Sequence, residues 1–213
     1  MSSRKGPSPP ILYTIGHSDR TLDGFLTLLD RAGVRLVVDI RRFPRSRTNP
    51  QFDEEALSHA LAQAGIGYRH APALGGRRGK RDAPATTHGE APATKVPRTQ
   101  SRFGDGVLAR FAGWEVAAFR AYAAYATTAP FREALDALVI DARRTPTAVM
   151  CAEAVWWRCH RRIVADYAIA AGLRVVHLLS EGHSQEGAPT PFARLEEDAT
   201  ISYPAERSAG TAG

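Results

Sequence analysis

The chain has 213 residues, 44% of them hydrophobic, which is ordinary for a globular protein with its own core. Its net charge of +6 favours an anionic partner, such as a nucleotide, a nucleic acid or a small phosphorylated molecule. Because the chain has no long apolar run, no signal-peptide pattern and only two cysteines, we expect a cytoplasmic protein without a membrane span.

Short apolar runs alternate with helical patterns, after a polar, proline-rich tail at residues 1–9 that we expect to be disordered. The first run ends in Gly16-His17-Ser18, which indicates a buried strand entering a turn, and Thr21 can cap the helix that follows. We predict strands at residues 11–15, 35–40, 67–71, 147–151 and 174–179. We predict helices at residues 21–32, 53–64, 115–127, 131–143 and 154–171.

The pattern indicates a single domain over residues 10–182. Within it, residues 77–113 are rich in Gly, Pro, Thr and charged residues and have little apolar periodicity, which predicts a flexible insertion. Residues 183–213 are polar apart from one short apolar cluster, which predicts a mostly irregular C-terminal tail.

The alternation of strands and helices predicts an α/β fold, a three-layer Rossmann-like domain with a mostly parallel five-stranded sheet. Right-handed crossovers restrict the strand order, and we predict 3-2-1-4-5, with strand 1 beside strand 4 at the switch point. Functional groups in such sheets lie beyond the carboxyl ends of the strands.

Polar side chains follow three of the predicted strands at this edge. His17 and Ser18 follow strand 1, and Asp39 and Arg41 follow strand 2. Strand 4 ends in Cys151-Ala152-Glu153. We therefore expect an imidazole, an Asp–Arg pair, a thiol and a carboxylate to share one pocket.

Cys151 is the candidate nucleophile of this pocket. A helix starting at residue 154 would stabilise its thiolate, and a nearby His17 or Arg41 would lower its pKa further. Glu153 and His17 are then acid/base candidates, with Asp39 beside them. The alternatives are a buried structural thiol, an acid that only complements the helix dipole, and an Asp39–Arg41 ion pair that fixes the loop.

The predicted helix at residues 154–171 carries three further candidates, Cys159, His160 and Arg161. Cys159 shares an apolar stripe with its neighbours and is better interpreted as core. Arg161 lies within about 80° of Glu153 around the helix, so it could support that carboxylate or bind an anion. A continuous helix would carry Cys159 roughly 9 Å from its start, which would strain a disulfide to Cys151.

Arginines follow strand 2 directly, at Arg41, Arg42, Arg45 and Arg47. This loop could bind phosphates, with Arg41, Arg45 and Ser46 as contacts together with Ser18, His160 and Arg161. A second basic cluster opens the insertion at residues 77–81 and is equally well explained as a solvated loop. The chain has no paired-ligand spacing for zinc and no nucleotide-cofactor fingerprint, so we predict neither metal nor cofactor.

Five segments, in order, are similar to the successive blocks of the family called domain of unknown function 488. They are TIGHSDRTLDGFLTLL, VVDIRRFPRSRTNPQF, ALGGRR, FRAYAAYATTAPFREAL and MCAEAVWWRCHRRIVAD. The resemblance implies a bacterial or archaeal cytoplasmic protein but supplies no reaction. It places family motifs at His17, Asp39, Arg41, Pro44, Ser46, Cys151, Glu153, Cys159, His160 and Arg161. Arg42 departs from the family pattern, in which a small polar residue is more usual.

Three functional hypotheses follow. The first is an enzyme with Cys151 as nucleophile that acts on an anionic, nucleotide- or nucleic-acid-like substrate by group transfer or hydrolysis. The second is a non-catalytic nucleic-acid-binding module. The third is a thiol or metal sensor that uses Cys151 and Cys159.

Overall fold

The computed structural model of the chain describes residues 9–76 and 109–205. Most of the predicted N-terminal tail and most of the predicted insertion therefore lie outside the described residues. The strands are β1 Ile11–Gly16, β2 Leu36–Asp39, β3 Gly67–His70, β4 Thr147–Cys151, β5 Arg174–Ser180, β6 His183–Glu186, β7 Arg194–Leu195 and β8 Ile201–Ser202. The helices are α1 Leu22–Arg31, α2 Glu54–Gln63, α3 Ala117–Tyr125, α4 Ala129–Arg144 and α5 Arg161–Ala170. Among these helices, none is long and apolar enough to cross a membrane.

The main sheet has six strands in the order β3-β2-β4-β1-β5-β6. Its first five strands are parallel, and β6 is antiparallel to β5. The predicted order 3-2-1-4-5 is wrong, because β4 lies between β1 and β2, so that Ala148 is opposite both Tyr13 and Val37. All five residues of β4 are buried, which suits a strand that is covered on both faces and has neighbours on both sides.

Helices cover both faces of the sheet, which confirms the three-layer, Rossmann-like α/β class. On one face, Phe25 and Leu29 of α1 and Leu57 of α2 pack against alternate residues of the strands, such as Met150. On the other face, α3, α4 and α5 pack against Val149 and its neighbours. Helix α1 begins as predicted, with the Thr21 hydroxyl accepting a hydrogen bond from the Gly24 amide.

The predicted continuous helix at residues 154–171 is wrong in its first half. Residues Trp156–Arg158 form a single 3-10 turn, and α5 begins only at Arg161. Tertiary contacts hold this turn: the Trp156 ring stacks on His177 with centroids 4.0 Å apart, and the Arg161 guanidinium donates to the Glu153 carbonyl at 2.5 Å. These contacts outweigh the helical pattern of the local sequence.

Part of the stretch expected to be mostly irregular is ordered. Strand β6 extends the main sheet, and β7 and β8 form a separate hairpin. Ile201 and Tyr203 are buried in the core, where the Tyr203 hydroxyl donates to Asp166 of α5 at 2.8 Å. The sparse apolar residues of this stretch therefore complete the layer that contains α4 and α5.

Candidate functional site

The carboxyl ends of β2, β4 and β1 meet at one cavity of about 640 Å³. The three ends are adjacent because β4 is central, which places Cys151 between the loop after Asp39 and the turn after Gly16. Most of the predicted site residues line this cavity, namely His17, Arg41, Arg45, Ser46, Cys151, Glu153 and His160. The other three lie outside the lining and bind lining residues: Asp39 binds Arg41, the Ser18 carbonyl accepts from His17, and Arg161 donates to the Glu153 carbonyl.

Asp39 and Arg41 form a fully buried ion pair at the end of β2. The Arg41 Nη2 and Nε atoms donate to the Asp39 carboxylate at 2.6 and 3.0 Å, and the Arg41 amide donates to it at 2.9 Å. The Tyr68 hydroxyl adds a further hydrogen bond at 2.9 Å, and Arg41 also donates to the Phe52 carbonyl. With its charge and most of its donors satisfied, this pair fixes the start of the arginine loop.

His17 is a buried imidazole whose tautomer is set by its neighbours. Its Nδ1 atom donates to the Ser18 carbonyl at 2.9 Å, so Nε2 is the acceptor and receives a hydrogen bond from Arg41 Nη1 at 3.4 Å. Its ring stacks on Phe52. Burial, reinforced by the charges of Arg41 and Arg161, lowers the pKa of His17 despite the opposing Ser18 hydrogen bond and Asp39 charge. His17 is therefore a neutral imidazole with an unprotonated Nε2.

Cys151 and Cys159 lie in contact, with their sulfur atoms 2.8 Å apart. The predicted separation of the two cysteines is wrong, because the 3-10 turn folds Cys159 back toward the end of β4 instead of carrying it along a helix. Both are buried free cysteines, and both line the cavity.

The pKa values of the two thiols are shifted in opposite directions. Burial raises the pKa of Cys151 well above its ordinary value, and the neighbouring Cys159 raises it further. Burial would also raise the pKa of Cys159, but the hydrogen bond from Cys151, with His160 and Arg161, outweighs it and holds the pKa of Cys159 well below its ordinary value. These surroundings favour a thiolate at Cys159, which the Arg161 amide and His160 approach, over one at Cys151, whose sulfur also donates to the Glu153 carbonyl at 3.9 Å.

Arg161 is 1% exposed and has no carboxylate partner among the described residues. Its Nη2 atom donates to the carbonyls of Glu153 and Ala154, its amide donates to the Cys159 sulfur at 3.5 Å, and its Nε has no partner. A buried guanidinium needs a compensating anion, and the Cys159 thiolate is the negative group beside it.

His160 borders the same thiolate. Its Nδ1 atom lies 3.4 Å from the Cys159 sulfur, and its buried Nε2 has no partner. Gly76 packs so closely on the ring that a Cβ there would lie 2.5 Å from Nδ1. His160 is thus held in place, with an unused nitrogen at the cavity wall.

The rim of the cavity is basic and partly aromatic. Arg45 and Arg158 are exposed there, and Phe43 is 63% exposed. Glu153 contributes the one acidic side chain among the lining residues, and it is exposed. Ser46 also has a local structural role, since its hydroxyl accepts from the Asn49 amide and its amide donates to Asp53.

The model of the family Domain of unknown function DUF488 matches residues 21–168. The chain belongs to this family. Comparison with curated proteins and with solved structures gave no match.

In this DUF488 domain, the matched region holds almost all the residues that build the cavity. His17 and Ser18 precede the matched region, but β4 places them beside it. Within the described residues, no group of three or more His, Cys, Asp and Glu side chains is arranged to hold a metal ion.

Sequence reasoning missed the electrostatic role of Cys159 and the supporting roles of Phe52, Phe43 and Arg158 in this DUF488 domain. The run Cys159-His160-Arg161 carried a signal, because a thiol followed by two cationic or protonatable residues is a composition that stabilises a thiolate. This signal was missed because a continuous helix would point the three side chains in different directions.

Proposed function

We propose that the protein is a cytoplasmic, cysteine-dependent enzyme that acts on an anionic, nucleotide- or nucleic-acid-like substrate in this cavity. Group transfer or hydrolysis is the reaction class. The nucleophile is the thiolate shared by the cysteine pair, and we assign it to Cys159 rather than to Cys151, the residue that the sequence favoured.

One observation carries the proposal: a thiolate beside a buried guanidinium opens onto a cavity with a basic rim. The Arg161 amide donates to the Cys159 sulfur, the Cys151 sulfur lies 2.8 Å from it, and no carboxylate among the described residues competes for the Arg161 charge. Reactive cysteines occupy such electropositive surroundings, whereas inert structural cysteines lie among apolar groups.

The rim supports an anionic substrate. Arg45 and Arg158 present unburied positive charge, and Phe43 presents a ring that a nucleobase can stack on. Arg41 is less suited to bind the substrate than the sequence suggested, because Asp39 already neutralises it. We therefore place substrate recognition on the rim and the chemistry at its base.

The reaction consists of two displacement steps. The Cys159 sulfur forms a bond to an electrophilic atom of the substrate, and the leaving group departs with its electron pair and takes a proton from Cys151. A second nucleophile, water or an acceptor hydroxyl, then displaces Cys159 and gives its proton to the unprotonated Nε2 of His17. The Cys159 thiolate is restored, and the proton held by His17 returns to Cys151, so that both groups regain their starting states.

The assignment is tested by alkylation with iodoacetamide at pH 6, followed by peptide mass spectrometry. We expect Cys159 to be labelled in preference to Cys151, and the Cys151→Ser variant to keep this labelling because a hydroxyl still donates to the thiolate. Equal labelling of the two cysteines, or labelling of Cys151 first, would contradict the assignment.

Substrate class is tested by thermal shift and turnover with mononucleotides and single-stranded oligonucleotides as probes. Arg45→Ala should weaken binding, whereas Arg47→Ala is the matched control, because Arg47 is an exposed arginine of the same loop that does not line the cavity. Turnover, followed by mass spectrometry of the probe, should disappear in Cys159→Ser while binding remains.

A non-catalytic nucleic-acid-binding module would give a different result. It would bind oligonucleotides with strong salt dependence, with the same affinity in Cys159→Ser and with no change in the probe. That outcome would replace the enzyme proposal.

A further inference from the structure

We propose that Cys151 and Cys159 are a redox modification site, at which a hydroperoxide converts the two thiols into an internal disulfide and so switches the thiolate off. The effect on catalysis rests on the proposed function. The formation of the disulfide does not, because it depends only on the two sulfurs and their neighbours.

Proximity favours this bond over any other. The sulfur atoms are 2.8 Å apart, so they need to approach by less than 1 Å to reach a disulfide length of about 2.05 Å. The chain has only two cysteines, so no third thiol of the same molecule competes. Because the two are 1% and 2% exposed, a cysteine of a second protein molecule cannot reach them, whereas a peroxide or a small thiol entering from the cavity can.

The chemistry balances with a hydroperoxide as oxidant. The Cys159 thiolate attacks one peroxide oxygen, the O–O bond breaks, and the released hydroxide or alkoxide takes up a proton, leaving Cys159 as a sulfenic acid. The Cys151 sulfur then attacks the Cys159 sulfur, the S–O bond breaks, and hydroxide leaves with the Cys151 proton as water. The two cysteines lose two electrons in all, and the peroxide gains them.

Arg161 and His160 make this disulfide reversible. Both stabilise the reduced pair, because the Arg161 amide donates to the Cys159 sulfur, the guanidinium charge interacts with both sulfurs, and the imidazole lies 3.4 Å from the Cys159 sulfur. In the disulfide the Arg161 charge keeps two backbone carbonyls but loses its anionic neighbour. A disulfide whose reduced form is stabilised in this way is easily reduced, which suits a switch rather than a structural crosslink.

Mass spectrometry of the purified full chain tests the modification directly. After brief treatment with hydrogen peroxide, we expect the intact mass to fall by two hydrogen atoms and a peptide linking Cys151 to Cys159 to appear. Dithiothreitol should reverse both changes. In Cys151→Ser, the reaction should stop at a sulfenic acid on Cys159 that dimedone traps.

A glutathione redox titration tests the role of the surrounding charges. His160→Asn should require about tenfold more reducing conditions to open the disulfide, because the reduced pair loses the imidazole that contacts its sulfur. Arg161→Lys, which keeps the charge, should shift the midpoint less than Arg161→Gln, and circular dichroism checks that each variant is folded.

Several outcomes would overturn the proposal. They are free thiols after peroxide treatment, oxidation of Cys159 to a sulfinic acid without linkage to Cys151, and a redox-titration midpoint that does not change in the His160 and Arg161 variants. Disulfide formation in a protein that binds no mononucleotide or oligonucleotide would leave the redox site intact and remove only the enzyme. Turnover of a probe without disulfide formation would support the enzyme and remove the redox site.

Discussion

Two buried arginines lie at the same edge of the sheet, and they are neutralised in different ways. Arg41 is 6% exposed and is bound to the Asp39 carboxylate through its Nε and Nη2 atoms. Arg161 is 1% exposed, and within residues 9–76 and 109–205 its guanidinium donates to two backbone carbonyls and interacts with the sulfur pair. The first arginine has a permanent counter-charge, whereas the second has one only while Cys159 is a thiolate.

The difference separates a structural ion pair from a reactive one. A carboxylate keeps its charge across the physiological pH range, so the Asp39–Arg41 pair holds the loop in one state. A thiolate can be protonated, alkylated or oxidised, and each of these changes removes the partner of a buried cation. We therefore expect chemistry at Arg161 and rigidity at Arg41.

Removing the Asp39 carboxylate should leave Arg41, like Arg161, without a carboxylate partner. In Asp39→Asn, Arg41 is left buried without a counter-charge, and we expect a loss of about 3–5 kcal/mol in the free energy of unfolding. Urea denaturation at neutral pH measures it. A loss below about 1 kcal/mol, the range of exposed ion pairs, would show that Arg41 does not depend on Asp39.

Acid should place a second positive charge near Arg161. Burial, and then the charge of Arg161, lowers the pKa of His177 to about 4. The unfolded chain therefore binds this proton more readily between about pH 6.5 and pH 4, and the free energy of unfolding should fall through that window by as much as about 3 kcal/mol. Urea denaturation of wild type and His177→Asn at several pH values measures this contribution, and parallel pH profiles would refute it.

Filling the space between β1 and the carbonyls that Arg161 binds should disturb the surroundings of Arg161 and leave the Asp39–Arg41 pair unchanged. A Cβ on Gly16 would lie 1.8 Å from the Glu153 carbonyl oxygen and 3.0 Å from Arg161 Nη2. We expect Gly16→Ala to cost about 1–3 kcal/mol of unfolding free energy and to raise the pKa of Cys159.

Gly67→Ala is the matched strand control for that substitution, since its Cβ would lie 3.3 Å from a Leu36 side-chain carbon and 3.5 Å from the Arg35 carbonyl oxygen, with no contact as short as that at Gly16. Chemical denaturation and alkylation against pH measure both effects. Equal behaviour of the two variants would show that the tight contact at Gly16 has no bearing on the thiol pair.

The smallest effect sets the scale for the others. Arg69 and Asp141 form an ion pair whose side chains are 34% and 28% exposed. Because water screens it, Asp141→Asn should cost less than about 1 kcal/mol by urea denaturation, well below Asp39→Asn. A comparable loss in both variants would mean that burial does not separate the two pairs.

Local patterns in the sequence predicted most elements, including β4 to the residue, because Thr147–Cys151 is a compact apolar run between two helical patterns. They did not predict the strand order, since the right-handed crossover rule admits β4 on either side of β1. The buried pattern of β4 was the available signal: a strand without a polar side chain facing out belongs at the centre.

The sequence predicted that the candidate residues meet at one edge of the sheet, where most of them line one cavity, but it did not predict the contact between the two cysteines. Periodicity over residues 154–171 is helical, and only distant partners break it: Cys151 in β4, and His177 in β5 beneath Trp156. Such contacts are invisible to a window of neighbouring residues. For the same reason, the sequence pattern assigned Cys159 to the hydrophobic core.

The central position of β4 also determines when the molecule can begin to fold. Among the strands of the described residues, β1 pairs with β4 and β5, and both lie beyond residue 146. A nascent chain emerging from the ribosome therefore carries β1 without a neighbour until two-thirds of the polypeptide has been made. Its apolar edge is exposed for all that time, so chaperone binding should be strongest on truncated chains that stop short of Thr147.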